Sequence, residues 1–269
     1  MGGRMMMCFF SLLAGAPAWA QFDHSHAAWN VLLRTHVVVL DGGKASQVRY
    51  TGMSAARPAL KAYLAVISAV GEDEYAAWSR AQQMAFLINA YNAFTVEKIL
   101  TRYPDLKSIR DFGSVFGNPW KDKFFRLLGV ETSLDGIEHG RLRTKGVFDE
   151  PRVHFAVNCA AIGCPMLREE AYVAVRLEKQ LEDQERRFLS DRSRNRYDAV
   201  GDKLIVSRIF DWYKEDWASG FKGIASREQY FARHAGLLTD DPVQRQRIAL
   251  QQAGLAFTEY DWSLNDADK

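Results

Sequence analysis

Two cysteines lie five positions apart in the segment NCAAIGCP, residues 158–165. A cysteine attacks other molecules as a thiolate, which a helix N-terminus or a cationic neighbour stabilises. Cys164 is followed by Pro165, and proline is favoured at the first position of a helix. The sequence therefore predicts Cys164 at a helix N-terminus. It favours this residue as the nucleophile of a hydrolase or acyl transferase that acts on an amide, ester or thioester.

A cysteine nucleophile also needs a base within reach and a group that orients the base. His154 is the preferred base, because it lies in the segment RVHFAVN, residues 152–158, which alternates like a β-strand and leads to the cysteines. His139 is the second candidate for the base. The predicted orienting group is Asp261 or Asn158, and Asn158 shares a face of the predicted strand with His154.

Glu138 is the fourth candidate catalytic residue. It precedes His139 in a predicted helix that has its N-cap at Ser133 and runs through Leu142. Adjacent helix residues do not face each other, so Glu138 is not expected to orient His139.

Two alternatives stay open for the same residues. In an oxidising compartment Cys159 and Cys164 would pair, and closing this short loop would stabilise the fold by about 2–3 kcal/mol. A disulfide excludes a resting nucleophile and predicts a non-catalytic binding module or scaffold. A zinc site made of His139, His154 and both cysteines matches no compact zinc motif, so no metal or cofactor is predicted.

The first 20 residues, MGGRMMMCFFSLLAGAPAWA, have the features of a secretion signal. An early arginine precedes a short apolar run, and residues 18–20, AWA, fit a small-x-small cleavage site. We therefore expect a periplasmic or secreted mature chain of residues 21–269. His26 would lie near its new N-terminus, where we expect it to be solvated.

The composition argues against several classes of partner. Without residues 1–20, 34 basic residues face 33 acidic ones, so neither nucleic acid nor an anionic membrane is an expected partner. After the signal no stretch reaches the ~20 apolar residues of a membrane helix. A hydrophobic content of 48% supports a real core, and with no repeat or Gly/Ser linker the mature chain is expected to be one domain. The expected partner is an unknown small-molecule or peptide ligand.

The segment MAFLINAYNAFTVEKIL, residues 84–100, gives the strongest helix signal. Apolar residues would lie on nearly every side of this helix, which predicts that it is central and buried. Asn89 and Asn92 interrupt it on one face, and a buried amide must be hydrogen-bonded. They are expected either to bond neighbouring backbone or to orient site residues. With short strands such as KFFRLLG and KLIVS, the pattern predicts a mostly helical α+β fold.

Aromatic residues are concentrated in the segment RIFDWYKEDW, residues 208–217. Trp212, Tyr213 and Trp217 either line a groove for a sugar or peptide or fill the core, since each ring buries a large area. Their helical spacing favours the core.

Five motifs then stand out together: AFLINAYNAFTV, SLDGIEHGRLR, RVHFAVNCAAIGCPML, FDWYKEDW and YDWSLN. In these motifs, from about Ala81 to Asn265, the chain resembles the domain-of-unknown-function 547 family. That family is widespread in bacteria, often behind a secretion signal, and includes plant proteins in which a similar domain follows a coiled coil. The resemblance implies a shared fold and a set of signature positions but no activity. These positions are Asn89, Glu138, His139, His154, Cys159, Cys164, Asp211, Trp212 and Asp261.

Overall fold

A single long helix forms the centre of the computed structural model, which describes residues 21–113 and 118–269. The predicted secretion signal, residues 1–20, lies outside the described residues. The fold is a mostly helical α+β domain, as predicted. Its helices are α1 Ala27–His36, α2 Tyr50–Ala55, α3 Arg57–Ala69, α4 Glu72–Ala76, α5 Arg80–Leu100, α6 Leu134–Ile137, α7 Val153–Ala156, α8 Leu177–Leu189, α9 Ile209–Trp212, α10 Arg227–Arg233, α11 Ala235–Leu238 and α12 Pro242–Ala249. Its strands are β1 Val37–Leu40, β2 Ala45–Val48, β3 Phe125–Leu127, β4 Val130–Thr132, β5 Arg196–Asp198, β6 Lys203–Val206 and β7 Gly254–Phe257.

Helix α5 confirms the predicted central helix and begins four residues before the predicted Met84. It starts at Arg80 because Ser79 and Gln82 form a capping box: each side chain accepts a hydrogen bond from the backbone N–H of the other residue. From Met84 to Leu100, all but one of its residues are buried. In the ranges 21–113 and 118–269, no helix combines the length and apolar character that crossing a membrane requires.

The strands form small separate sheets. Strands β1 and β2 pair antiparallel, as do β3 and β4, while β6 lies between antiparallel β5 and parallel β7. Near the C-terminus, single bridges join Asp266 to Val48 of β2 and Leu264 to Ala161. The last residues of the chain therefore lie alongside the cysteine segment and hold it against the N-terminal hairpin.

Two apolar clusters make up the core. The larger one surrounds α5, and the smaller one contains aromatic residues such as Phe210, Trp217 and Tyr230. The short helix α7 joins them, since Val153 belongs to the larger cluster and its neighbour Phe155 to the smaller one. The segment that leads to the cysteines is thus buried between the two clusters.

The predicted strand over residues 152–158 is wrong, because Val153–Ala156 form helix α7. All four residues of this helix are buried, so the apolar alternation does not separate an inner from an outer face. The backbone that follows is not paired with a strand. Instead the Asn92 amide bonds to the carbonyl of Ala156 and the N–H of Asn158.

The predicted helix starting at Pro165 is also wrong, because the next α-helix begins at Leu177. Amide side chains hold the intervening residues in an extended path. Gln184 donates to the carbonyl of Met166, and Gln180 accepts from the N–H of Val173. Cys164 therefore does not lie at a helix N-terminus, and the predicted stabilisation of its thiolate by helix amides does not occur.

The prediction that His26 is solvated is wrong, because its side chain is buried. Its Nδ1 lies 2.8 Å from the Tyr63 hydroxyl. Phe22 packs edge-on against the ring, within the same aromatic cluster as Trp78. Burial lowers the pKa of His26 to about 4.

Candidate functional site

A π-helical turn positions Glu138 and His139. Ser133 caps α6 by accepting a hydrogen bond from the N–H of Gly136, as the sequence predicted for this helix start. Residues Glu138–Leu142 then widen into a π-helix, in which the N–H of Arg143 donates to the Glu138 carbonyl at 2.9 Å. Single π turns inside helices occur frequently at functional sites.

Two asparagines of α5 position the backbone around the cysteines. Asn89 exchanges two hydrogen bonds with the backbone of Tyr172, at 2.8 and 3.0 Å. Asn92 donates to the Ala156 carbonyl at 2.9 Å and accepts from the Asn158 N–H at 2.8 Å. The predicted backbone bonding is confirmed, and the backbone that Asn92 holds is that of the segment entering the cysteine loop.

Cys159 and Cys164 are joined, with their sulfur atoms 2.00 Å apart. The Tyr260 hydroxyl donates to Cys164 Sγ at 3.1 Å and lies 3.3 Å from Cys159 Sγ. Asn158 closes the loop from inside by donating to the Pro165 carbonyl at 2.8 Å. The loop is therefore held by the covalent bond, by Asn158 and by the C-terminal segment.

Neither predicted orienting group contacts His154. The side chain of Asp261 is exposed and accepts from the N–H of Ser263, while its carbonyl accepts from the N–H of Gly163. Asn158 makes its hydrogen bonds within the cysteine loop and to Asn265. Both residues hold the loop in place, which is a structural role.

Asp216 is the residue that orients His154, and the sequence reading missed it. The two side chains meet at 2.7 Å through His154 Nε2. Arg143 donates to the same carboxylate at 2.6 and 3.1 Å. Burial opposes ionisation of Asp216, but the hydrogen bonds from His154 and Arg143 outweigh it and hold its pKa well below the usual range.

The ring of His154 is almost fully enclosed. It stacks on Tyr213 with centroids 4.0 Å apart, and its Nδ1 lies 4.0 Å from Glu138 Oε1. His139 is more exposed and contacts Arg143 through Nδ1, while its Nε2 lies 3.7 Å from Asp135. Of the two histidines, only His154 has one nitrogen bound to a carboxylate and the other directed at a second carboxylate.

Glu138 is surrounded by phenols. Its side chain is 8% exposed. Burial raises the pKa values of Tyr91 and Tyr213 well above the usual range, and the Glu138 carboxylate that both hydroxyls approach adds to the effect. A buried carboxylate beside two neutral phenols and an imidazole can accept a proton, or it can bind a cation.

These groups line one cavity of about 240 Å³, here called the disulfide cavity. Its wall contains Cys159, Cys164, several polar residues and several aromatic rings. The polar residues are Asn118, Asp135, Glu138, His139 and His154, and the rings are those of Tyr91, Trp120, Trp212, Tyr213, Tyr260 and Trp262. Within the described residues, no group of three or more His, Cys, Asp or Glu side chains is placed to hold a metal ion.

The three aromatic residues of the RIFDWYKEDW segment have different environments. Trp217 is buried in the smaller cluster, as the core prediction required. Tyr213 stacks on His154, and Trp212 is 46% exposed and stacks on Trp262 at the cavity. The core prediction therefore holds for Trp217 and is wrong for Trp212.

A comparison with known protein families matches a segment of the chain that contains part of the disulfide cavity. Residues 75–189 match the family model "Protein of unknown function, DUF547". This segment of the chain is a DUF547 domain. Comparison with curated proteins found no match, and comparison with solved structures found none either.

The matched DUF547 segment contributes only part of the disulfide cavity. Glu138, His154 and both cysteines lie within residues 75–189. The motifs FDWYKEDW and YDWSLN, which contribute Trp212, Tyr213, Tyr260 and Trp262, follow this match. Asp216 belongs to the first of these motifs. The position of Asp216 in this motif could have marked it as a candidate site residue. Nothing in the sequence spacing, however, links it to His154, which lies 62 residues earlier.

Proposed function

We propose that this DUF547 protein is a non-catalytic binding module whose ligand enters the disulfide cavity. One observation carries the proposal: Cys159 and Cys164 form a disulfide in the cavity wall. Nucleophilic chemistry requires a thiolate, and a sulfur atom in a disulfide is not one. In this state the cavity offers a carboxylate, two histidines and several aromatic rings, which are groups that bind and orient a small ligand.

The surroundings of the two sulfur atoms support a structural bridge. Cys164 Sγ accepts hydrogen bonds from the Cys159 N–H at 3.0 Å and from the Tyr260 hydroxyl at 3.1 Å. The loop backbone also pairs with the C-terminal segment, since the N–H of Ile162 donates to the Ser263 carbonyl at 2.8 Å. A bridge with these supports stabilises the cavity wall.

A thiol-dependent hydrolase or acyl transferase is the second candidate. The observation in its favour is that Cys164 shares the cavity with His154, His139 and Glu138, the predicted base candidates and acid. After an external dithiol reduces the bridge, Cys164 would attack the carbonyl carbon of an amide, ester or thioester and form a thioester with the acyl group, while the amine, alcohol or thiol leaves. His154, oriented by Asp216 at 2.7 Å, would accept the proton.

The redox state of the two cysteines in the native protein separates the candidates. The binding proposal predicts a mass two daltons below that of the reduced chain and no alkylation by iodoacetamide without reductant. It also predicts that Cys159→Ser and Cys164→Ser lower the melting temperature equally. A native protein that alkylates at Cys164 contradicts the proposal. So does hydrolysis of ester or thioester probes that Cys164→Ser abolishes and Cys159→Ser retains.

We also propose that residues 1–20 direct the chain to the periplasm or the exterior, where this bridge would form. The small-x-small site at residues 18–20 supports this, and disulfides persist in oxidising compartments. Fractionation of a bacterial host followed by N-terminal sequencing should find a chain beginning at Gln21 outside the cytoplasm. An uncleaved chain in the cytoplasm would contradict the proposal.

A further inference from the structure

We propose that the disulfide cavity binds a small organic ammonium cation, with Glu138 as its charged contact. This inference rests on the proposed binding function and names the class of ligand.

The first argument is the state of the Glu138 carboxylate. The side chain is more than nine-tenths buried and lines the cavity. Among the described residues, the only basic nitrogen within 4.0 Å of it is His154 Nδ1, at 4.0 Å, and the other nitrogen of this ring binds Asp216. The hydroxyls of Tyr91 and Tyr213 approach this carboxylate but carry no charge. A buried carboxylate is stabilised most by a charged partner, and a cationic ligand would supply one.

The second argument is the charge of the cavity wall. None of the described lining residues is Lys or Arg, whereas Glu138 and Asp135 are acidic. The nearby cation Arg143 is already paired with Asp216, to which it donates at 2.6 Å. Among the described lining residues, an anionic ligand would therefore find two carboxylates and no Lys or Arg to pair with, and a neutral ligand would leave Glu138 without a charged partner.

The third argument is the aromatic side of the cavity. The faces of Trp and Tyr rings attract cations, most strongly where water is excluded. Two rings of this wall already do so, because Arg110 lies 5.2 Å from the Trp262 centroid and Arg143 lies 4.5 Å from that of Tyr213. A buried carboxylate and aromatic rings in the same wall suit an ammonium group with short alkyl substituents.

The size of the cavity limits the ligand further. Its volume of about 240 Å³ is below the ~300–1,000 Å³ of cavities that bind drug-sized ligands. The ligand part that enters it is therefore a head group with a few carbon atoms. Such a group could be a free amine or the ammonium end of a longer molecule, and the two sources share this chemistry.

Titrations of the purified protein with choline and n-butylammonium test the proposal, with tryptophan fluorescence as the readout. Trp120, Trp212 and Trp262 line the cavity, so ligand entry changes their surroundings. The matched neutral probes are 3,3-dimethylbutan-1-ol for choline and n-butanol for n-butylammonium. We expect at least one ammonium probe to bind about tenfold or more tightly than its neutral counterpart, which corresponds to about 1.4 kcal/mol. A monoacylated diamine, which keeps one ammonium end on a longer molecule, distinguishes a free amine from the end of a longer ligand.

The charge contact is tested with Glu138→Gln, which keeps the shape of the side chain and removes its charge. It should erase the preference for ammonium, whereas Glu259→Gln, at an exposed carboxylate, should not. If Glu138→Gln does not fold, the comparison of charged and neutral probes in the wild-type protein tests the preference for ammonium by itself. Equal binding of both probe classes, or no saturable ammonium response at millimolar concentration, overturns the inference. Equal binding of both probe classes contradicts only the preference for ammonium, whereas alkylation of native Cys164 contradicts the proposed binding function itself.

Discussion

Replacing Asn92 with leucine tests whether the central helix holds the cysteine segment through one side chain. Asn92→Leu keeps the number and branching of the side-chain heavy atoms and removes both polar atoms. It leaves the Ala156 carbonyl and the Asn158 N–H without the partners that they have at 2.9 and 2.8 Å. Both residues are buried. Each unsatisfied buried group costs about 1–3 kcal/mol. With the apolar burial of leucine as a partial offset, we expect a loss of about 2–4 kcal/mol in the free energy of unfolding.

Thr95→Val is the matched control on the same helix. The Thr95 hydroxyl is also buried, but it donates to the Tyr91 carbonyl one turn earlier, which the helix already satisfies. Its removal leaves no buried backbone group alone, so the expected loss is below about 1 kcal/mol.

Urea unfolding at equilibrium measures both variants, with equal m-values as the check that stability alone has changed. Hydrogen exchange adds a local readout, because the Asn158 amide should lose protection in Asn92→Leu and keep it in Thr95→Val. If the two variants unfold within about 0.5 kcal/mol of each other, or if the Asn158 amide stays protected, the reasoning about this contact is refuted.

Two further predictions concern titration and charge. His26→Asn keeps a polar atom for Tyr63 and suits the positive φ of 50° at this position. The pKa of His26 is lowered from 6.5 to about 4 in the folded state. The contribution of His26 to the free energy of unfolding is therefore complete above pH 6.5. As the pH falls from 6.5 to 4, this contribution decreases by about 1.4 kcal/mol per pH unit. The difference between the pH profiles of wild type and His26→Asn should amount to about 3 kcal/mol across this window, and parallel profiles would contradict the buried neutral state. Asp216→Asn should cost about 1–3 kcal/mol by thermal unfolding, since it leaves Arg143 and His154 without their carboxylate in a partly exposed site. Glu215→Gln, at an exposed neighbour, should change stability by less than about 0.5 kcal/mol.

Patterns along short stretches of chain predicted several elements correctly. The apolar run over residues 84–100 predicted α5, and the Ser133 cap predicted the helix that carries Glu138. The disulfide was one of the open alternatives for Cys159 and Cys164, which lie only five residues apart. Each of these features depends on residues that are close in sequence.

Patterns misled where distant side chains supplied the hydrogen bonds. Residues 152–158 alternate like a strand, and Cys164-Pro165 reads like a helix start. In the folded chain the amides of Asn92, Gln180 and Gln184 bond to the backbone in and around these segments, so neither predicted element forms. A buried backbone group needs a partner, but any well-placed amide can provide it.

The sequence by itself determined the fold class, the central helix and the set of reactive residue types in the site motifs. These follow from apolar periodicity, capping residues and composition, which act over a few positions. Only the tertiary structure decided which groups meet: Asp216 with His154, 62 residues apart, and Tyr260 with the sulfur of Cys164, 96 residues apart. Such pairs form because two apolar clusters pack against each other around α7. The polar groups left at their junction take whichever partners that packing brings within reach.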